Sequence, residues 1–168
     1  MARVEWWFGR PVFFGDHVRN AYCGNARLMG EDFGVPALKE ISSVWDQFKA
    51  PDFMNFLEEI YVFIGKNLEE KLSPNQLYAA IAHELGHYEF RHCFKPPRDM
   101  SERLAQEMEA DQFAISLGAD PESLLEVIAL INAEEIKELS KTKTPAEIGK
   151  ILDQHYKDMG PRYLALSK

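Results

Sequence analysis

The chain has 168 residues, 46% of them apolar and 27% charged, with 19 basic against 27 acidic side chains for a net charge of −8. That length suits one domain, and that composition suits a folded globular chain rather than a disordered one. The acidic balance argues against long-range attraction to nucleic acid or anionic lipid, two cysteines cannot build a disulfide framework, and no apolar run approaches the roughly 20 residues of a membrane span.

The opening residues show neither the apolar region nor the cleavage site of a signal peptide, so the reading is a soluble, cytoplasmic protein. Residues 1–23 form an aromatic arm (Trp6, Trp7, Phe8, Phe13, Phe14, Tyr22) broken by Gly9, Pro11 and Gly15. It is too apolar for a solvated tail and reads as one or two short strands packed on the domain. Residues 24–34 suit a short helix ending at Gly34, and residues 41–48 a mixed strand. Residues 60–64, Ile-Tyr-Val-Phe-Ile, are wholly β-branched and aromatic and give the strongest strand signal in the chain. This strand suits either an edge that pairs with an extended substrate or the interior of a sheet.

From there the pattern is helical. Ser73-Pro74-Asn75-Gln76 is a capping box that opens a helix, and Pro96 and Pro97 stop it, giving an expected end near Phe94. Asp99 to Glu102 is a second box, whose helix runs to Gly118. Asp120-Pro121-Glu122 starts a third helix, apolar at Leu124, Leu125, Ile128, Ile131 and Leu139. Thr144 to Glu147 starts a fourth, which Gly160-Pro161 is expected to break before a short tail. Strands first and helices after make an α+β domain, with residues 24–140 as its core and 141–168 as a C-terminal helix and tail.

The best-defined helix carries His83-Glu84-Leu85-Gly86-His87, the pattern H-E-x-x-H. Positions i and i+4 lie about 40° apart around a helix, so the two imidazoles project side by side toward one ion. Glu84 falls between them in angle, placed to act on water rather than to ligate. The next helix has an apolar stripe at Leu104, Met108 and Ile115, and Glu107 and Asp111 fall within or beside it. Carboxylates on a buried face are costly unless paired or metal-bound, which separates these two from Glu102 and Glu109, read as solvated charge. His87 and Glu107 sit about 10 and 12 Å from the intervening turn, so an antiparallel hairpin brings them level. Two His and one Glu then hold one Zn2+ per chain and leave a fourth position open, as catalytic zinc does. Asp111 is placed to fix the tautomer of a ligand imidazole.

With Glu107-Met-Glu-Ala-Asp111 after the H-E-x-x-H, the chain resembles the gluzincin zinc metallopeptidases. The wider run, from Ile60-Tyr-Val-Phe-Ile-Gly and Leu72-Ser-Pro-Asn-Gln-Leu through Arg91-His92 to Glu-Ala-Asp-Gln-Phe-Ala, is similar to the branch of HtpX-type heat-shock proteases and CAAX prenyl proteases. The single-domain minigluzincins are similar in size. The resemblance implies a metalloendopeptidase with His83, His87 and Glu107 as zinc ligands, Glu84 as general base and Asp111 behind the ligands. The implied substrate is a peptide or protein; composition argues against a nucleic acid partner, and the lack of a membrane span departs from HtpX-type and CAAX proteases, which carry transmembrane helices. The resemblance also implies a downstream oxyanion stabiliser, for which His155, Tyr156, Arg162 and Tyr163 are the candidates. Two alternatives stand beside this reading. One is a latent or regulatory peptidase, resembling the ImmA type with a repressor as substrate, or covered by its own aromatic arm or C-terminal tail. The other is a non-catalytic, zinc-stabilised binding module. His92 lies about 140° around a continued helix from His87 and is set aside as a ligand. Cys93 reads as a packed small residue, and Cys23 as a remote candidate for a latency thiol.

Overall fold

The computed structural model describes residues 2–16, 18–25, 27 and 60–168. Its strands are β1 (Arg3–Trp7), β2 (Arg10–Gly15), β3 (Ala21–Asn25) and β4 (Ile60–Gly65). Its helices are α1 (Lys66–Glu69), α2 (Pro74–Glu89), α3 (Met100–Ser116), α4 (Pro121–Leu139) and α5 (Pro145–Leu166), with a 3-10 turn at His92–Phe94. The α+β expectation therefore holds. The expected strand at 41–48 and most of the expected helix at 24–34 lie outside the described residues, and residues 24 and 25 close β3 instead.

The strands form one sheet in the order β1-β2-β4-β3. β1 and β2 make a hairpin whose two turn residues, Phe8 and Gly9, both have positive φ (50° and 72°), as a tight turn matched to strand twist requires. β4 runs parallel to β2 and antiparallel to β3 and is buried along its whole length. That explains an uninterrupted apolar run rather than an alternating one. It also corrects the edge-strand reading of residues 60–64: β4 is interior, and β3 is the outer neighbour among the described strands. Val12, Phe14, Val62 and Ile64 on one sheet face pack against Ile81 and Leu85 of α2. The opposite residues, Phe13 and Phe63, stack with ring centroids 5.3 Å apart.

The opposite side of α2 packs Ala79 and Ala82 with Ala114 of α3, Leu124 of α4 and Leu166 of α5. α2 is thus central, covered by the sheet on one side and by three helices on the other. Its capping box forms as expected, with Ser73 and Gln76 bonding reciprocally, and Thr144 and Glu147 do the same for α5. The box expected at Asp99 is half made: Asp99 caps the Glu102 amide, but the Glu102 carboxylate is taken by the backbone and guanidinium of Arg98.

Two helix ends differ from expectation. α2 stops at Glu89, not Phe94, because Arg91 takes the left-handed conformation (φ 57°) and reverses the chain ahead of the prolines. α5 passes unbroken through Gly160-Pro161. An interior proline costs a helix about 3 kcal/mol. Beyond it Arg162 is held by two carboxylates and Leu166 is buried, so tertiary anchoring outweighs the local break.

Candidate metal centre

α2 supplies His83, Glu84 and His87, and α3 supplies Glu107 and Asp111. The two helices approach closely because Gly86 faces Ala110. A Cβ built on Gly86 would lie 2.7 Å from the Ala110 Cα, so only glycine permits this contact. The buried line of α3 runs through Ala110, Asp111 and Ala114 with Glu107 at its end, rather than through Leu104, Met108 and Ile115. The carboxylates share the face of the small alanines that let the helices meet.

His83 Nε2 and His87 Nε2 are 3.1 Å apart. Glu107 Oε2 is 3.3 Å from His83 Nε2, and Glu107 Oε1 is 3.8 Å from His87 Nε2. Ligand atoms about 2.0–2.1 Å from a tetrahedral zinc sit about 3.3 Å from one another, so the donor set and its spacing fit zinc. The Nδ1 atoms of both imidazoles are engaged elsewhere, which directs both Nε2 atoms into one space.

His83 Nδ1 donates to Asp111 Oδ1 at 2.8 Å, and Asp111 is 2% exposed. Arg162 reaches in from α5, with Nε 2.7 Å from Asp111 Oδ2, Nη2 2.9 Å from Asp111 Oδ1 and Nη1 3.0 Å from Glu107 Oε2. Burial opposes a charged His83, but the hydrogen bonds to Asp111 and Glu107 outweigh it and raise its pKa to about 9. Burial alone would raise Glu107 and Asp111. Hydrogen bonds to His83, joined by His87 at Glu107 and by Arg162 at Asp111, hold the Glu107 carboxyl well below its ordinary range and lower that of Asp111. Burial raises the Glu84 carboxyl, against the pull of the two nearby imidazoles. The Glu84 side chain makes no hydrogen bond to any described residue.

The chain reversal at Arg91 brings back a residue that a continued helix would carry away. His92 is 7% exposed, its Nδ1 is 2.8 Å from His87 Nδ1, and its Nε2 is 2.9 Å from Glu109 Oε2. His92 and Glu109 thus reach the site through His87, although His92 stays set aside as a ligand and Glu109 stays exposed, as expected. Helical periodicity carried no signal for either, since both depend on one left-handed residue.

A cavity of about 920 Å³ opens over the cluster. His83, Glu84, His87 and Glu107 line it, as do Tyr22 and Cys23 of β3. Of the four downstream candidates, His155, Arg162 and Tyr163 line it, and His155 hydrogen-bonds the Tyr163 hydroxyl. Tyr156 is 59% exposed and does not line it. Trp6, Trp7 and Phe8 do not line it either; Trp7 and Phe8 pack on Tyr78 instead.

An α+β domain with H-E-x-x-H on one helix and a converging glutamate on the next has the make-up of a metallopeptidase centre. Residues 17–96 match the family model of Peptidase family M48, a family of zinc metallopeptidases, and the chain is similar to that family over this stretch. The match spans β3, β4 and α2 and includes His83, Glu84 and His87, but it stops short of α3. Glu107 and Asp111 lie outside the matched stretch, and His83, His87 and Glu107 are the one group of potential metal ligands among the described residues. No curated protein and no solved structure matches the chain. No described helix is long and apolar enough to cross a membrane.

Proposed function

We propose that the chain is a zinc-dependent endopeptidase of gluzincin type, on the HtpX and CAAX-protease branch, in which His83, His87 and Glu107 hold the metal and Glu84 is the general base. The observation that carries this is Glu84 itself. It lies beside three converging donors and lines the cavity, yet it holds none of them in place. A zinc-stabilised binding module has no physical use for such a carboxylate.

Bound zinc supplies Lewis acidity, which polarises a peptide carbonyl and acidifies water. Glu84 takes the proton from the attacking water and returns it to the leaving nitrogen, and its raised pKa suits both roles. Asp111 and Arg162 keep His83 and Glu107 oriented. The Arg162 guanidinium is committed to carboxylates, so Tyr163 and His155 are the better placed donors to an oxyanion. β3, one of the two outer strands among the described residues, lines the same cavity. The free thiols Cys23 and Cys93 also line it, which suits a reducing, cytoplasmic setting. Latency through Trp6, Trp7 and Phe8 finds no support, because none of the three lines the cavity.

The test is cleavage of a diverse peptide mixture by the zinc-loaded protein, read by mass spectrometry beside Glu84→Gln. Cleavage by the wild type, lower by roughly 10²- to 10⁴-fold in Glu84→Gln at equal zinc content, is expected. No cleavage by either protein at one zinc per chain overturns the proposal.

A further inference from the structure

We propose that His92 and Glu109 form a relay that fixes the tautomer of the zinc ligand His87, and that His92 is a positioning residue rather than a fourth ligand. The inference rests on His83, His87 and Glu107 being the metal ligands. A neutral imidazole carries one proton, on one nitrogen or the other. For His87 Nε2 to offer its lone pair to a metal, the His87 proton must sit on Nδ1. The atom facing that Nδ1 at 2.8 Å is His92 Nδ1, which must then accept. His92 therefore carries its own proton on Nε2, and that atom faces Glu109 Oε2 at 2.9 Å. A carboxylate only accepts, so Glu109 sets the whole chain of protons from its far end.

Both zinc-binding imidazoles are then oriented by a carboxylate, in two ways. His83 donates directly to Asp111, which is buried. His87 acts through an interposed imidazole, and the carboxylate at its end has a side chain 51% exposed to solvent. Both nitrogens of His92 are occupied by these bonds, which leaves it no lone pair for the metal. The ring is held by more than these bonds: it stacks on Phe90 with centroids 5.7 Å apart and meets His87 edge-on at 5.0 Å. The reversal at Arg91 thus has a purpose that Pro96 and Pro97 alone would not supply.

The experiment measures zinc affinity by chelator competition in the full chain, for the wild type, His92→Gln, Glu109→Ala and the double variant. The ring tautomers are read in the same proteins from two-bond 1H–15N spectra. Glu109 is half exposed, so its substitution leaves folding intact even if that of His92 does not. The expected result is a zinc Kd raised roughly 10- to 100-fold by His92→Gln and about 10-fold by Glu109→Ala. The double variant should be no weaker than His92→Gln alone, because both residues act through one path. The zinc-loaded wild type should show His92 protonated on Nε2, and Glu109→Ala should mix its tautomers. An unchanged Kd in Glu109→Ala, or a wild-type His92 protonated on Nδ1, overturns the relay while leaving the metal site standing. A wild type that binds no zinc overturns both readings.

Discussion

Arg162 concentrates the electrostatics of the site in one side chain. Its side chain is 12% exposed and contacts both Glu107 and Asp111, so one guanidinium serves a half-buried and a buried carboxylate. Removing one partner of a buried ion pair costs about 3–5 kcal/mol, because the charge left behind has lost its compensation. Arg162→Met should therefore destabilise the metal-free protein by about that amount, measured by urea unfolding. Zinc should restore part of the loss, since the cation compensates Glu107 but does not reach Asp111. An equal loss with and without zinc would show that Arg162 supports packing rather than the ligand set. The residues that Arg162 serves were readable in the sequence, because His83, Glu84, His87, Glu107 and Asp111 obey helical spacing, and a carboxylate on a buried helix face is anomalous wherever it falls. Arg162 was readable only as one of four candidates in a downstream stretch. His92 and Glu109 were not readable, since their meeting depends on the backbone of Arg91 and not on any period.

The candidate metal centre depends on the distance between α2 and α3, which Gly86 and Ala110 set. A Cβ at residue 86 would meet backbone atoms of Ala110 at 2.7 and 2.9 Å, and a helix backbone cannot yield as a flexible side chain can. Gly86→Ala should cost about 1–3 kcal/mol by forcing the helices apart. It should weaken zinc binding as well, since Glu107 travels with α3. Gly149 provides the contrast: it lies in α5 with nothing within 4 Å of a built Cβ. Gly149→Ala should stabilise by about 0.5–1 kcal/mol through helix propensity and leave zinc affinity unchanged. Thermal melts of both variants decide the matter, and a neutral Gly86→Ala would refute the close-contact argument. Helix starts at Ser73, Asp99, Asp120 and Thr144 were legible because caps are local chemistry. The passage of α5 through Pro161 was not, because what sustains it is Glu107 and Asp111, 54 and 50 residues earlier in the chain.

Across the whole molecule, the sheet is part of the folded core rather than an attachment to it. β2 lies between β1 and β4, and its Val12, Phe13 and Phe14 are almost completely buried. Each such side chain contributes about 1.5–3 kcal/mol, against a total stability of about 5–15 kcal/mol for a typical domain. Deleting residues 1–20 should therefore unfold the protein, seen as loss of its cooperative melt, where a removable cover would leave a folded and more active enzyme. The same intact fold links metal to pH. His83 has a pKa of about 9 in the folded, metal-free chain against an ordinary 6.5, because the bonds to Asp111 and Glu107 overcome burial. The raised value means that its proton stabilises the metal-free protein fully below about pH 6.5, and that this stabilisation is lost as pH rises through about 9. Zinc binds only the deprotonated imidazole, so below about pH 9 it must displace that proton. Glu107 is ionised throughout this range and adds no competing proton. Zinc affinity should thus climb about tenfold per pH unit from neutrality and flatten above about pH 9. At a fixed, buffered free zinc concentration, the gap between zinc-loaded and metal-free melting temperatures should widen from about pH 6 to about pH 9. A gap that stays constant would mean that His83 is already deprotonated at neutrality and that Asp111 orients it without raising its affinity for protons.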